Sequence, residues 1–403
     1  VPLVPLEETR AAILAAVPCL PVVTVPLADA VGLVLATDIV TAEPVPPFAN
    51  TAMDGYAVRA ADTAGASAGA PVRLAVVDDL AAGRAPEIPV GPGEAIRIMT
   101  GAPMPAGADA VVMVERTARD GDDAVLIHAA AGPGDNVRLP GGDLEAGQTV
   151  FRAGTVIGPA HVGVLASVDA TEVPVHRRVR VGVLSTGDEL VERGPLGAGQ
   201  IRDSNRPMLR ALAAAAGAEV VDLGLARDDE AVIVATLEDA FARCDAVLTS
   251  GGVSMGEYDY VKAALDRFGA LEWRQVAIKP AKPLAFGVVR GVPVFGLPGN
   301  PVSSLVSFEL FARPALLAMM GYAECRRPEV VARAGHAFTR RADGKIHLDR
   351  VRVTWTDGGY VAERTGRQES NVLSATAAAD GLALVPDGDG PAEGDPLTVM
   401  LFV

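Results

Sequence analysis

The sequence predicts a multidomain α/β plus β protein. A central α/β domain with a parallel-rich sheet is preceded by a β-rich half and followed by a small β domain. Three observations carry this. Strand-like and helix-like segments alternate only between residues 178 and 327. Residues 18–177 are rich in Gly and Pro, with short apolar runs between turn signals. Beyond about residue 328 the helices stop and period-two patterns such as 346–355 (IHLDRVRVTW) take over. At 403 residues the chain exceeds one ordinary core, so two to four domains are expected.

Taken in order, residues 6–17 read as a short amphipathic helix. Strands are expected at 72–77 (VRLAVV), 95–99 (AIRIM) and 110–114 (AVVMV). The α/β region opens with a continuous apolar strand at 179–184 (VRVGVL). A helix at 204–217 follows, with Gly217 suited to its C-terminal end. Strand 219–223, helix 228–242 and strand 245–249 come next, and a Gly-rich loop then opens a helix at 257–268. Strands at 285–289 and 292–296 precede a long helix at 302–320. This alternation implies a parallel sheet covered on both faces.

Composition excludes several classes. Half the residues are apolar but only 4% are aromatic, so Val, Leu, Ala and Ile must fill the cores. No uninterrupted apolar run reaches the roughly 18 residues of a membrane span. Acidic residues number 50 and basic ones 35, for a net charge of −15. That balance repels nucleic acid and anionic membranes, and it requires any phosphate site to be made locally. Cys19, Cys244 and Cys325 are scattered without a CxxC, so neither a disulfide framework nor a zinc site is expected. With Glu7, Glu8 and Arg10 where a signal peptide would be apolar, a reducing, cytoplasmic location is expected.

In open α/β sheets, ligands bind at the carboxyl ends of strands, and three loops leave strands in that way. Ser185-Thr186-Gly187-Asp188-Glu189 carries adjacent carboxylates able to hold Mg²⁺, or an Asp that merely caps a loop. Ser250-Gly251-Gly252-Val253-Ser254, with Asp259 beyond it, offers backbone amides and hydroxyls to a phosphate, or is a tight strand–helix turn. It is neither GxGxxG nor a Walker loop. Pro298-Gly299-Asn300-Pro301 presents an N-cap and a first-turn proline, with amides free to face an anion. Lys279 and Lys282, each before a proline, are biased to extended backbone. A charge pair at about 4 Å and an effective dielectric near 20 gives roughly 4 kcal/mol before desolvation. A helix end gives about 0.3–1 kcal/mol, so the lysines should set anion affinity. In the first half, Asp54-Gly55 signals a turn, Thr100 follows a strand, and Arg138 and Asp143 flank Pro140-Gly141-Gly142.

The segments NTAMDGYAVR (50–59), RIMTGAPMPAGADAVVMVE (97–115), VGVLSTGDELV (181–191), SGGVSMGEYDYV (250–261), IKPAKPLAFG (278–287) and GLPGNPVSS (296–304) occur here together, in this order. The combination resembles the molybdopterin molybdenumtransferases, the gephyrin E-domain among them. The resemblance implies a domain plan. Residues 1–48 and 136–177 would form a β-rich N-terminal domain that includes the first helix. Residues 49–135 would form an inserted α+β lobe, 178–327 a molybdopterin-binding α/β domain and 328–403 a β-barrel. It also implies a homodimer that inserts molybdate into adenylylated molybdopterin and releases AMP with Mg²⁺ assistance, in molybdenum cofactor biosynthesis. A molybdopterin adenylyltransferase would be a functional neighbour. By motif position, Lys279 and Lys282 would hold phosphate or molybdate charge. Ser185, Thr186, Ser250, Gly251, Gly252 and Ser254 would cradle the pterin phosphate. Asp188, Glu189 and Asp259 would contact Mg²⁺ or pterin, and Pro298, Asn300 and Pro301 would shape the wall. Asp54, Thr100 and Asp143 would complete the site across the dimer. Three stretches depart from the family pattern. Leu139-Pro140-Gly141-Gly142-Asp143 lacks a glutamate and a basic residue, Ala379-Asp380-Gly381 stands for Ala-Asn-Gly, and Arg367-Gln368-Glu369 replaces a Gly- and Ser-rich run, so no substrate role is carried over to the C-terminal domain. The alternatives are a tungstate-inserting paralogue, and a molybdopterin-binding scaffold or adenylyltransferase.

Overall fold

The computed structural model describes residues 2–251, 262–264, 267–269 and 271–402. The chain divides into two compact units. One comprises Val1–Val25, Ala30–Ala36 and Pro174–Val403, the other Pro26–Asp29 and Thr37–Val173.

In the first unit a seven-stranded sheet runs in the order Leu3–Val4, Leu271–Val276, Pro283–Val289, Val292–Leu297, Ala246–Ser250, Arg180–Thr186, Glu219–Ala226. The last four strands are mutually parallel, as the alternation implied. The sheet is parallel-rich as expected but mixed, because Pro283–Val289 runs antiparallel to both of its neighbours. The reason lies in the link. Only Arg290 and Gly291 join Pro283–Val289 to Val292–Leu297, and both have positive φ (53° and 84°). Two such residues close a hairpin, whereas a parallel pair needs a crossover of about a dozen residues.

Helices cover both faces. On one face, Leu209 and Ala213 of helix Asn205–Ala215 and Val302, Val306 and Leu316 of the segment Pro301–Met319 join a core with Val181, Val183 and Phe295. On the other, Ile233, Leu237 and Ala240 of helix Glu230–Arg243 pack on Leu184, Val247 and Val294. Asp229 caps that helix, accepting from the N–H groups of Ala231 and Val232. Pro301–Met319 is interrupted by a π turn at Phe308–Ala312, and Arg10 Nε donates to the Leu310 carbonyl there at 3.3 Å. Among the described residues it is the one helix long and apolar enough to cross a membrane, but 89% of that window is buried. It is a core helix. Most of the helix expected at 257–268 lies outside the described residues.

The same unit contains a closed barrel. Ile346–Thr356, Gly359–Arg364, Glu329–Ala334, Pro396–Leu401 and Gly381–Val385 pair in that order, and the last pairs back onto the first. Val351, Ala362, Ala383, Leu397 and Val399 fill it. Closure removes the exposed edges of a small sheet. One correction applies here: a short helix at Leu373–Ala377 breaks the expected run without helices. The two-residue strand Ile278–Lys279 pairs in parallel with Ile346 and His347. The lysine hairpin is thereby fastened to the barrel by backbone hydrogen bonds.

The second unit is built on a six-stranded sheet ordered Thr117–Arg119, Ala124–Ile127, Val72–Leu80, Glu94–Ile98, Gly55–Val58, Ala110–Met113. It is β-rich as expected, with one helix at Pro159–Ser167. Gly55, read from sequence as part of a turn, starts a central strand instead. A Cβ there would collide with the Val112 carbonyl oxygen, so glycine is required by the closeness of the neighbouring strand.

Candidate functional site

Register brings the three loops together. Ser185 lies opposite Ser250, and Ser250 opposite Leu297, in parallel strands. Loops 185–189, 250–251 and 297–300 therefore leave the sheet at one edge. Ser185, Thr186 and Ser250 are buried there. Gly251 donates its N–H to the Leu297 carbonyl at 3.1 Å and has φ of 96°. A Cβ on it would come within 2.9 Å of the Thr186 carbonyl oxygen. Gly251→Ala is thus strained by both conformation and contact. We expect it to cost about 1–3 kcal/mol of stability and at least about tenfold in ligand affinity, measured by urea unfolding and a binding titration. Unchanged affinity would remove this loop from the site.

One element of the site escaped the sequence reading: Asp203-Ser204-Asn205-Arg206, at the start of a helix. Asn205 Nδ2 donates to Ser250 Oγ at 2.8 Å and to the Gly299 carbonyl at 2.7 Å. A single buried amide thus ties the second loop to the third. Ser185 Oγ donates to Asp203 Oδ1 at 3.1 Å, which adds the first loop. Arg206 holds Asp203 at 3.0 Å and Asp222 at 2.6 Å, and also pairs with Glu192. Hydrogen bonds from Arg206 keep the Asp222 carboxyl below its usual range, although burial pushes it up. In sequence, Asp-Ser-Asn before an Ala/Leu helix reads only as capping. No local pattern says which distant loops such side chains reach.

Asp188 and Asp228 exchange backbone N–H to carboxylate bonds at 3.3 and 3.4 Å. Asp188 and Glu189 supply the oxygen ligands that Mg²⁺ prefers. No group of three or more His, Cys, Asp or Glu residues forms a metal cluster among the described residues. A magnesium ion held here would draw its other ligands from phosphate and water, its habitual arrangement. Gly252, Ser254 and Asp259 lie outside the described residues.

Asn300 stands at the N-cap of its helix with Pro301 next, as expected, but its side chain makes no cap hydrogen bond. Its backbone carbonyl accepts from Ser304 N–H instead. Nor is this helix start an open row of amides. Val302 N–H is taken by the Ser370 carbonyl at 3.1 Å.

Lys279 and Lys282 are exposed and line a cavity of about 1060 Å³ whose other wall is the barrel. Seven basic side chains line it against three acidic ones, in a chain of net charge −15. The three acids are neutralised locally: Asp343 by Arg340 and Lys345, Asp349 by Arg364, Glu369 by Arg367. Lys279, Lys282 and Arg341 have no carboxylate partner among the described residues and are free to meet an anion. Ser303, from the Pro298–Ser304 motif, lines the same cavity. Arg367, Gln368 and Glu369 also line it. The C-terminal domain, to which the sequence reading carried over no substrate role, therefore supplies a wall of the basic cavity.

In the second unit Asp54 Oδ1 accepts from both the N–H and the Oγ of Thr100, each at 2.7 Å. Two motifs 46 residues apart thus form one polar cluster. The Thr100 N–H, and then its hydroxyl, hold the exposed Asp54 carboxyl below the ordinary range. A depressed pKa adds stability above the unfolded-state value, and that contribution is lost as pH falls through the folded one. Thr100→Val removes the hydroxyl bond but keeps the N–H. We expect the Asp54 pKa to rise part-way toward normal in a carboxyl NMR titration, and an unmoved titration would contradict the pairing. Asp143 donates its N–H to the Val45 carbonyl at 2.9 Å within a turn.

Comparison with known proteins decides the family. Residues 4–168 match the model of the MoeA N-terminal region, domains I and II. Residues 182–318 match a probable molybdopterin binding domain, and 334–402 the MoeA C-terminal region, domain IV. The chain is 44% identical over 379 residues to molybdopterin molybdenumtransferase 2 of Mycobacterium tuberculosis, covering 92% of each. The chain belongs to the MoeA family of molybdopterin molybdenumtransferases. A Haemophilus influenzae molybdopterin molybdenumtransferase is 37% identical over 351 residues, covering 87% of this chain and 86% of that one. The molybdopterin biosynthesis MoeA protein of Pyrococcus horikoshii superposes with a TM-score of 0.83 at 31% identity, covering 100% of both chains. Within this family of molybdenum cofactor biosynthesis, the matched molybdopterin-binding region holds the three loops and both cavity lysines. The matched C-terminal region holds the barrel residues that face them.

Proposed function

We propose that this molybdenumtransferase inserts molybdate into adenylylated molybdopterin and releases AMP with Mg²⁺ assistance. The observation that carries the reading is the basic cavity at Lys279 and Lys282, an anion site built inside an acidic protein. The ligand so implied is compact and strongly anionic, as molybdate and phosphates are. Lys279 and Lys282 neutralise its charge and hold it beside the pterin dithiolene. Ser250 holds the phosphate, which the absence of a side chain at Gly251 lets approach the backbone, with Ser185 and Thr186 beneath. Pro298, Asn300 and Pro301 form the wall. Asp188 and Glu189 would hold Mg²⁺, which when bound offsets charge on the departing phosphate. Asp54 and Thr100 present a fixed carboxylate, placed across a homodimer in this reading. No protein nucleophile is required, because the dithiolene sulfurs capture the metal. The remaining charge development is met by preorganised cations. The enzyme acts in the cytoplasm on the product of a molybdopterin adenylyltransferase.

The test is AMP release from adenylylated molybdopterin with and without Mg²⁺ and molybdate. Molybdate-stimulated release, with molybdenum retained on the pterin, is the expected result. Tight binding without release would sink the transferase chemistry, and tungstate-only stimulation would reassign the oxyanion.

A further inference from the structure

His347 is the one histidine that lines the basic cavity. The other charged side chains there keep their charge across the physiological range, whereas an imidazole does not. Its place is fixed by backbone pairing, opposite Lys279 on one side and Val385 on the other. Strand alternation puts it on the same face as Asp349, at the barrel mouth. Its Nε2 is 3.2 Å from Asp343 Oδ2, an oxygen also held by Lys345 Nζ at 2.9 Å. The other oxygen of Asp343 is bound by Arg340 at 2.6 Å, and Arg340 also pairs with Asp387. Burial pushes the Asp343 carboxyl up, but the hydrogen bonds from Lys345 and His347 outweigh this and bring it down to about 2. It therefore remains a fixed negative charge. The groups facing His347 are Asp343 and Lys345 from the adjoining turn, Lys279 from the hairpin and Asp349 on its own strand. Arg340 and Asp387 stand behind Asp343, and the Val385 strand presents no charge.

We propose that His347 is a further oxyanion-binding residue of this cavity, and that the dianion is taken up together with a proton on its imidazole. The inference rests on the reading that this cavity holds the oxyanion. A dianion bound in the cavity adds negative charge beside the imidazole and favours the imidazolium. The imidazolium attracts the anion directly, while it and Lys345 share Asp343 Oδ2. The proton comes from solvent, and no bond in the anion is broken. Because the bound-state pKa exceeds the free-state value, the gain in affinity is complete below the free value. It is lost as pH rises through the bound one.

The experiment is calorimetric titration with molybdate near pH 7, in two buffers of different ionisation enthalpy, repeated from about pH 6 to about pH 8.5. Wild type should take up a measurable fraction of a proton near pH 7 and bind several-fold more weakly at the top of that range than at the bottom. His347→Gln should bind with no uptake and a flat pH profile. His347→Lys should also show no uptake while keeping tight binding at high pH, a result that mere loss of packing would not give. Unchanged proton uptake in His347→Gln overturns the inference, as does wild-type binding with no uptake. Lys279→Ala separates the two levels of the argument. If it binds molybdate as tightly as wild type, the anion sits elsewhere and the cavity reading falls, taking this inference with it. If it binds weakly while His347→Gln keeps the wild-type pH slope, the inference alone fails.

Discussion

Replacing Lys279 and Lys282 together with alanine should weaken molybdate binding by about 100-fold or more, counting roughly one decade for each charge removed. It should abolish molybdate-stimulated turnover without unfolding the protein. Both side chains are exposed, and neither has a carboxylate partner among the described residues, so their removal strands no buried charge. The change in stability should stay within about 0.5 kcal/mol, as for ordinary surface substitutions. Arg341 and its neighbours on the barrel remain, so residual binding should persist at low ionic strength and fade with added salt. Equilibrium dialysis against molybdate at two salt concentrations, beside a thermal melt, reads both quantities. Wild-type affinity in the double variant would remove the cavity from the mechanism.

Arg206→Met should have the largest effect on the fold. The arginine side chain is 10% exposed and that of Asp203 1%. Asp203 accepts from Arg206 Nε, from the Arg206 backbone N–H and from Ser185 Oγ. Methionine fills much of the same volume but leaves the Asp203 carboxylate enclosed without its cation. Breaking a buried pair in this way costs about 3–5 kcal/mol. The damage should reach the site as well, since Asp203 holds Ser185 and the adjacent Asn205 holds the other two loops. A double change, Arg206→Met with Asp203→Asn, should recover part of the loss, because the stranded charge is gone. Urea unfolding of the three proteins measures this. An Arg206→Met loss below about 1 kcal/mol would mean that Asp203 finds other compensation.

How much of this was legible follows from what kind of information each feature needs. The strand at Arg180–Thr186 and the helix Glu230–Arg243 announce themselves through local pattern, because burial on both faces or on one stripe dictates residue type every few positions. The hairpin at Arg290-Gly291 was legible in principle. Two residues between strands cannot make a crossover, yet the alternation of the region masked that constraint. The glycine-rich loops and the lysine-proline hairpin were found because unusual residue types cluster there. Asn205 was not, since one amide between Asp-Ser and Arg is ordinary at a helix start and gains meaning only through partners 45 and 94 residues away. The barrel's share in the cavity was hidden for a related reason. Arg341, Lys345 and Arg367 look like solvated charges on an alternating strand and its turns until the fold sets them around the cavity that the lysines line.

The parallel pairing of Ile278–Lys279 with Ile346–His347 has a bearing on how this protein can be engineered. A barrel is an attractive cassette for chimeras between homologous enzymes, since its first and last strands in chain order pair and it encloses an apolar cluster. Here the exchange would sever a seam rather than a linker. The donor barrel would have to accept this hairpin's backbone at its counterpart of Ile346–Thr356, and its own basic residues would have to face lysines selected against a different wall. The unit of exchange is therefore the barrel together with the hairpin at 278–283. A graft that carries only the barrel should give a folded chain with its three sheet-edge loops in place and its basic cavity out of register.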